Sequence, residues 1–454
     1  MKTNLLHRLW RGYRLLQRKA SPQINLVWGF FMYTILGWGL LCIPWFHKES
    51  VSVLDNLFTS TSAISTTGLV TVSITGSYNL AGQIIVLLLF QVGGIGYMTL
   101  TTYYLIFTTR RITSWHQRLI GTAFTMPRSI RVKDFIKSVI FFTIIMEVLG
   151  AVGLYIGFDK TDMPTGQAIW YSIFHSVSAF CTAGFGLDDN SFIPFQNNIW
   201  INTVISVLAI AGSLGFIVIT DLWYRLRGKT DKLSFTTKVI GYGFLILLGL
   251  GTLLTWLTEP GLYAQEHSLM KAFFQAMTAM TTVGFSTIPT AELSHPVLLL
   301  VLFLMYVGAS PSGTAGGMKI TTLTAMLSVI KSRLFGERRI SFLGREIPFN
   351  RLYVATSTFI LYTSLIFLFA FLLTYSEEAT FENILFEVAS ALGTVGLSAG
   401  LTGNLSMAGK IMIIILMFIG RVGVLTFGFA LLDFKTEKEK EEEEEKLEKE
   451  DLAV

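Results

Sequence analysis

Charged residues are scarce in this chain. Asp, Glu, Lys and Arg make up 14% of its 454 residues, whereas they make up about 25% of an ordinary soluble domain, and 52% of the residues are apolar. So few charges exclude a soluble enzyme, because the water-exposed surface of such a protein carries more of them. The composition predicts a protein that lies mostly within a lipid bilayer.

Cysteine is also scarce. The two cysteines, Cys42 and Cys181, stand in apolar sequence without a C-x-x-C spacing or a neighbouring histidine. This excludes a disulfide scaffold and gives no sign of a metal site. We interpret both residues as packing side chains.

The charges that remain are unevenly distributed. The predicted cytoplasmic tail, 433–454, contains 11 of the 30 acidic residues, and without it the chain has a net charge of +11. The basic residues concentrate in segments between apolar runs, a pattern that sets membrane orientation and does not indicate nucleic-acid binding. These segments are 1–24, 109–138, 221–238 and 319–351, with 6, 7, 5 and 7 Lys or Arg residues respectively. Both termini are therefore expected on the cytoplasmic side of the plasma membrane, with 1–24 as a basic cytoplasmic N-terminus.

Eight apolar runs are long enough to cross a bilayer as helices. They cover 25–46, 80–108, 138–158, 198–220, 239–258, 296–330, 352–376 and 409–432. Between the members of each successive pair lies a segment that is too short to cross, and these four are 51–65, 166–181, 268–281 and 381–393. The expected fold is an all-α integral membrane protein with eight transmembrane helices.

The four short segments have one sequence pattern. Each has a Phe ten residues before a glycine, an Ala five before it and a Thr two before it. Four copies in one register predict a fourfold parallel repeat of helix, re-entrant pore helix, loop and helix around one pore. The predicted pore repeats are 25–108, 136–224, 239–330 and 352–432.

The loop that ends each short segment carries the chemistry; we call these four the glycine loops. Irregular backbone at membrane depth is tolerated only where it is buried in protein or lines water, so four such loops imply a path. Their Thr-x-Gly pattern resembles the filter loop of potassium channels, in which backbone carbonyls replace the hydration shell of the ion. The predicted ion selectivity filter, which would bind potassium through its backbone carbonyls, comprises Thr66, Thr67, Gly68, Thr182, Ala183, Gly184, Thr282, Val283, Gly284, Thr394, Val395 and Gly396.

The four loops, the eight-span plan and the segments around Gly308 and Arg421 together resemble the Ktr/Trk/HKT superfamily of potassium transporters across residues 25–432. Because the first glycine loop follows the first span directly, the chain is most similar to the bacterial KtrB type of membrane subunit. Plant relatives with a serine at the first filter glycine select sodium, and Gly68 matches the potassium-selective pattern. Cys181-Thr182 departs from the Asn-Asn of many relatives.

The sixth apolar run is interrupted by 308–319, which contains four glycines and a proline. This composition cannot continue a helix, and the segment is either a simple kink or helix end, or a loop that lines water. The resemblance implies an intramembrane gating loop beneath the filter. Its expected gate residues are Gly308, Gly313, Gly316, Gly317 and Lys319, with Gly316 and Gly317 as pivots.

Arg421 lies near the middle of the predicted last span. A charge at that depth is costly unless it faces the protein interior or a cavity. The resemblance implies that this arginine lies beside the gating loop and helps to close the pore. Glu147, in the third span, is expected to make a structural hydrogen bond or pack a subunit interface rather than bind ions.

The resemblance also implies the function and the partners. The chain is expected to be no enzyme but the channel-like subunit for potassium uptake, with sodium as a possible stimulating or coupling ion and no organic cofactor. Its expected partners are a second copy in a homodimer, membrane lipid and a cytoplasmic nucleotide-binding regulatory subunit of Ktr/RCK type. A sodium-coupled or sodium-conducting carrier of the same superfamily is the alternative.

Overall fold

The computed structural model describes residues 22–96, 132–161, 163–228, 230–308, 310–337 and 339–432. Most of the N-terminal segment 1–24, the end of the first predicted repeat (97–108) and the tail 433–454 lie outside these residues. Helices dominate the part of the chain that is described.

The helices follow one another in four similar units. Unit 1 contains α1 (Pro22–Leu41), α2 (Val53–Ile64), α3 (Ile74–Ser77) and α4 (Leu80–Ile95). Unit 2 contains α5 (Val132–Phe158), α6 (Thr165–Phe180), α7 (Ile199–Ser213) and α8 (Phe216–Leu226). Unit 3 contains α9 (Phe235–Thr258), α10 (Ser268–Thr281), α11 (His295–Tyr306) and α12 (Ile320–Leu334). Unit 4 contains α13 (Phe349–Ser376), α14 (Phe381–Gly393), α15 (Met407–Val422) and α16 (Val424–Leu432).

Short 3₁₀ turns connect these helices at Pro44–Phe46, Ile193–Phe195, Leu262–Ala264, Thr290–Glu292 and Thr402–Asn404. An antiparallel hairpin of two short strands, β1 (Ser341–Phe342) and β2 (Arg345–Glu346), joins units 3 and 4. Leu343 and Gly344 form its turn with φ of 47° and 73°, the left-handed conformation that tight hairpins require. The all-α expectation therefore missed one small hairpin, whose two-residue strands are too short to show alternation in the sequence.

Four helices are long and apolar enough to cross a bilayer among the described residues: α1, α5, α9 and α13. The second long helix of a unit is different. In units 2 and 4 it bends by 93° and 98°, between α7 and α8 and between α15 and α16, and in units 1 and 3 it is shorter, as α4 and α11. The apolar runs predicted over 198–220 and 409–432 are therefore each bent and do not form one continuous helix. Gly215 and Gly423, with φ of 86° and 93°, break them.

The short helices α2, α6, α10 and α14 form the centre of the structure, and their bounds differ from the predicted segments by at most two residues. Their repeated phenylalanines and alanines are at most 1% exposed, which explains the shared pattern as packing around the glycine loops. The residues are Phe58, Phe174, Phe274 and Phe386 with Ala63, Ala179, Ala279 and Ala391. Units 1 and 4 are joined by an ion pair between Asp55 and Lys410 at 2.6 Å.

Candidate functional site

The four glycine loops have one backbone conformation. Each threonine has a φ between 48° and 53°, and each glycine two residues later has a φ between 69° and 92°. A threonine in the left-handed region costs roughly 1–3 kcal/mol, and such strain persists only where the surroundings impose it. The threonines are Thr66, Thr182, Thr282 and Thr394, and the glycines are Gly68, Gly184, Gly284 and Gly396.

Hydrogen bonds to the preceding helix impose this conformation. In every unit the amide of the residue between threonine and glycine donates to the carbonyl five residues earlier, over 2.8 to 3.1 Å. The amide of each threonine donates to the carbonyl of the repeated alanine three residues earlier, over 3.0 to 3.3 Å. The first set of bonds joins Thr67 to Ser62, Ala183 to Ser178, Val283 to Thr278 and Val395 to Ser390.

The glycine loops lie side by side in a closed ring. A Cβ atom placed on Gly68 would lie 2.5 Å from the carbonyl oxygen of Ala183 in the next loop. No side chain fits there, so glycine is required both by its φ and by this approach of backbone to backbone. The same approach recurs around the ring in the order Gly68 to Ala183, Gly184 to Val283, Gly284 to Val395, and Gly396 to Thr67.

The four short helices all end at this ring. Their carboxyl ends are Ile64, Phe180, Thr281 and Gly393, one or two residues before the threonine of each loop. The negative ends of four helix dipoles therefore meet at one place, which favours a cation there. No cluster of three His, Cys, Asp or Glu side chains that could hold a metal ion occurs in the described ranges.

The support behind the loops differs between units. The amides of Gly68 and Gly396 each donate to a serine hydroxyl of their own short helix over 3.1 Å, and these hydroxyls belong to Ser62 and Ser390. In unit 2 the Ser178 hydroxyl donates instead to the carbonyl of Phe185, over 2.9 Å.

In units 2 and 4 a residue one turn further back holds the chain that leaves the loop. His175 Nε2 accepts from the Leu187 amide over 3.2 Å. Glu387 accepts from the Ser398 hydroxyl over 2.9 Å and from the hydroxyl of Thr402. These side chains are buried and serve as internal supports of the loops.

The predicted structural role of Glu147 is consistent with its contacts. Its carboxylate accepts from Gln91 Nε2 over 2.8 Å, which links units 1 and 2. Cys181 lies beside this pair, with its sulfur 3.4 Å from Gln91 Oε1. Both Cys42 and Cys181 are free thiols.

The ends of the second long helices form a layer next to the ring. In units 1, 2 and 4 this helix ends in a Gly-x-x-Gly corner whose first glycine lies against the carboxyl end of the short helix of its own unit. The second glycine has a φ between 82° and 93° and turns the chain. The corners are Gly93 to Gly96, Gly212 to Gly215 and Gly420 to Gly423.

Unit 3 departs from this plan, because α11 ends at Tyr306 and α12 begins at Ile320. Gly308 packs against Gly316 and Gly317 of the intervening segment, which we call the 307–319 loop. The Met318 amide donates to the Tyr306 carbonyl over 3.0 Å and closes the base of this loop. The interruption is thus a folded loop and not a simple kink.

The 307–319 loop is bonded to unit 2. The amides of Ser310 and Thr314 donate to the carbonyls of Ser213 and Gly212 over 3.2 and 3.1 Å. Gly313 lies against the same two carbonyls, because a Cβ placed on it would approach the Ser213 oxygen to 2.7 Å. The loop therefore pairs with the glycine corner of unit 2.

The 307–319 loop also contacts three of the glycine loops. The Thr182 hydroxyl donates to the Thr314 hydroxyl over 3.1 Å, and the Gly316 amide donates to the Thr282 hydroxyl over 2.9 Å. Gly316 lies directly against Thr394, where no Cβ could fit. The loop thus lies across one mouth of the ring.

Two cationic side chains hold this loop on its other side. Lys319 Nζ donates to the carbonyls of Ala315 and Gly316, each over 2.7 Å. The guanidinium of Arg421 donates to the Thr314 carbonyl and, with its other nitrogen, to the Gly93 carbonyl. Three successive carbonyls of the loop are therefore bound by positive charges.

The location of Arg421 corrects one expectation. It lies in the last turn of α15 and not at mid-span, because Gly423 ends the helix. Its side chain nevertheless faces the interior, as predicted for a buried charge. Arg421, Lys319 and the 307–319 loop line a cavity of about 860 Å³ that also reaches the hairpin residues Arg345 and Glu346.

Comparison with known proteins agrees with this geometry. A family model described as a cation transport protein, TrkH, matches residues 31–445. The chain belongs to the TrkH family of cation transport proteins. It is thus a membrane transport protein and not an enzyme, and the resemblance to the Ktr/Trk/HKT superfamily is confirmed.

Several relatives align with nearly the whole length of this TrkH-family member. The potassium/sodium uptake protein NtpJ of Enterococcus hirae is 35% identical over 430 residues, which are 92% of this chain and 94% of that protein. The Ktr system potassium uptake protein B of Vibrio alginolyticus is 34% identical over 92% of this chain and 93% of its own length. The crystal structure of the potassium transporter TrkH from Vibrio parahaemolyticus has the same fold, with a TM-score of 0.73, 20% identity, and coverage of 92% of this chain and 86% of that one.

Reasoning from the sequence missed two parts of the site. Thr314, fully buried, contacts the ring, the unit 2 corner and Arg421, yet it was not among the expected gate residues. The Gly-x-x-Gly corners were also missed, although their position 24 to 28 residues after each loop glycine repeats in the sequence and could have revealed them.

Proposed function

We propose that this chain takes up potassium across the bacterial plasma membrane as the ion-translocating, channel-like subunit of a Ktr-type system. The closed ring of four glycine loops carries the proposal. The glycine of each loop lies so close to a carbonyl of the next loop that no side chain fits between them. Selectivity would therefore come from backbone carbonyl oxygens. The filter residues would be the twelve of the four Thr-x-Gly triplets.

Charge and relatives support potassium as the ion. Four helix carboxyl ends favour a cation, and backbone carbonyls suit one that sheds its water readily. Relatives that align with more than 90% of this chain are named potassium or potassium/sodium uptake proteins. The chain would cross the membrane eight times in four parallel repeats around one pore, with 25–108, 136–224, 239–330 and 352–432 as the repeats and both termini cytoplasmic.

The 307–319 loop would be the gate. It lies between the ring and the cavity, and Gly308, Gly313, Gly316 and Gly317 give it the close backbone packing that a compact closed state needs. Lys319 and Arg421 would oppose cation passage while the loop is in place, because positive charge in a region of low dielectric constant repels a cation strongly.

Regulation would come from other chains. The names of the Ktr relatives describe systems, which supports partner subunits in general. We propose a homodimer embedded in lipid and a cytoplasmic nucleotide-binding subunit of Ktr/RCK type that moves the loop.

Sodium transport is the second candidate, since the NtpJ relative is named a potassium/sodium uptake protein. One experiment separates the two. Cells that lack their own potassium uptake systems are transformed with this chain, alone and with a Ktr nucleotide-binding subunit, and grown at low potassium. Growth that depends on the chain and on potassium is expected. Sodium uptake without potassium-dependent growth would favour the sodium carrier, and neither effect in either strain would contradict the proposal.

A further inference from the structure

The hydroxyls of the four loop threonines are not equivalent, although their backbones are. All four residues are fully buried. Their shared φ and shared hydrogen bonds give the four Cβ atoms the same direction relative to the ring. Yet Thr182 and Thr282 are bonded to the 307–319 loop, whereas the hydroxyls of Thr66 and Thr394 have no hydrogen-bond partner within the described part of the chain.

Thr314 makes the contact that distinguishes Thr182 from the unbonded threonines. Its hydroxyl accepts from Thr182 and donates to the Phe180 carbonyl over 3.2 Å, while its amide is bound by the Gly212 carbonyl. Its own carbonyl accepts from Arg421. Every polar atom of Thr314 is therefore used, and a change in any contact is transmitted to the others.

A hydroxyl bonded to the loop is poorly placed to bind an ion. The Thr182 hydroxyl lies between the Cys181 carbonyl, 2.8 Å away, and the Thr314 hydroxyl, 3.1 Å away, and one lone pair of the Thr282 hydroxyl is taken by the Gly316 amide. That amide also places a partial positive charge beside the ring. An ion binding at this mouth would thus find two hydroxyl oxygens without a hydrogen bond, those of Thr66 and Thr394, in place of four, and Gly316 packs directly against the second.

We propose that Thr314 is a latch that couples the gate to the filter: the innermost cation site, a ring of the four threonine hydroxyls, is completed only when Thr314 and Gly316 withdraw and release Thr182 and Thr282. The inference rests on the proposed function and deepens it, because opening would create a binding site as well as a passage. Thr314 is a positioning residue in this scheme and does not itself touch the ion.

The test compares variants of the full chain by two readouts. The first is rubidium flux into proteoliposomes, and the second is the potassium concentration that gives half-maximal thermal stabilisation of purified protein at constant ionic strength. Thr314→Val removes the hydroxyl but keeps the shape and the carbonyl. We expect flux to rise and the half-maximal concentration to fall, each by about threefold to tenfold, as the latched state is depopulated. Thr314→Ser retains the hydroxyl and should change both readouts much less.

Two matched hydroxyl deletions distinguish a loop that controls the cation site from a loop that only blocks the path. Thr66→Val should weaken potassium binding by a similar factor in the wild-type and Thr314→Val backgrounds, because the loop never holds Thr66. Thr182→Val should weaken it markedly only in the Thr314→Val background, where that hydroxyl has become available. Equal effects of the two deletions in both backgrounds would overturn the latch, as would a rise in flux without a change in potassium binding.

Failure of the latch is distinguishable from failure of the proposed function. If shortening the 307–319 loop raises flux while Thr314→Val changes neither readout, the gate stands and the latch is refuted. If no variant conducts and potassium stabilises none of them, the function itself is wrong. Should Thr314→Val not fold, Thr314→Ala removes the same hydroxyl and is tested by the same two readouts, with no rise in flux refuting the latch.

Discussion

Two neighbouring layers of this molecule are built on opposite principles. The ring of glycine loops repeats one backbone conformation four times, down to the same two hydrogen bonds per unit. The layer beside it has a glycine corner in units 1, 2 and 4 but a loop in unit 3, and the unit 4 corner carries an arginine that binds this loop. A symmetric ring suits a spherical ion, which can be coordinated equally from all sides. A gate needs one element that moves relative to the others.

Breaking the symmetric layer should have the largest effect. Gly284→Ala places a Cβ at a φ of 78° and against the Val395 carbonyl. We expect transport to fall about a hundredfold. Stability should fall by more than the roughly 1–2 kcal/mol cost of a left-handed residue, because the Val395 carbonyl must also move. Rubidium uptake and thermal unfolding measure both.

The matched control is Gly166→Ala, which introduces the same methyl group in α6 with no atom within 4 Å. Its transport should equal that of the wild type. Loss of transport in both variants, or in neither, would contradict the role of the ring.

Shortening the 307–319 loop, the asymmetric element, should raise transport and not lower it. Shortening the 307–319 loop by deletion within 312–317 removes the residues that bind Thr182 and Thr282. Cation flux should rise about tenfold, which corresponds to about 1.4 kcal/mol taken from the barrier. Unchanged flux in a properly inserted protein would show that the loop does not close the path.

A side chain at a filter glycine should alter selectivity as well as rate. Gly68→Ser introduces a Cβ that faces the Ala183 carbonyl, so the spacing of the carbonyl ring changes. We expect the preference for potassium over sodium to fall by about threefold to tenfold. Competition of each ion with rubidium measures it, and an unchanged ratio would remove Gly68 from the filter.

The smallest effect is expected at the arginine. Arg421→Gln removes the charge and leaves a shorter side chain that can bind at most one of the two carbonyls bridged by the guanidinium, those of Thr314 and Gly93. Flux should rise about threefold. Arg421→Lys keeps the charge but has one nitrogen in place of the two that bind the Thr314 and Gly93 carbonyls, so its flux should lie between those of the wild type and Arg421→Gln. If lysine behaves as glutamine does, the bridge matters and the charge does not.

Much of the symmetric layer could be predicted from the sequence, because its requirements are local. A threonine and a glycine in left-handed conformations after a short helix leave the same signal in every unit, and the bounds of α2, α6, α10 and α14 followed from it. The asymmetric layer could not be predicted as well. The bends at Gly215 and Gly423 lie inside stretches that are apolar enough to be one span, so hydropathy alone does not reveal them. The role of Thr314 depends on Gly212 and Arg421, about 100 residues away on either side.

The central claim is that the ring selects the ion and the 307–319 loop closes the path. Rubidium flux into proteoliposomes containing the wild type or the loop-shortened chain, with potassium or sodium as competitor, tests both halves at once. The account predicts faster flux through the shortened chain and, in both proteins, strong competition by potassium and weak competition by sodium. Equal flux through the two chains, or equal competition by the two ions, would contradict it.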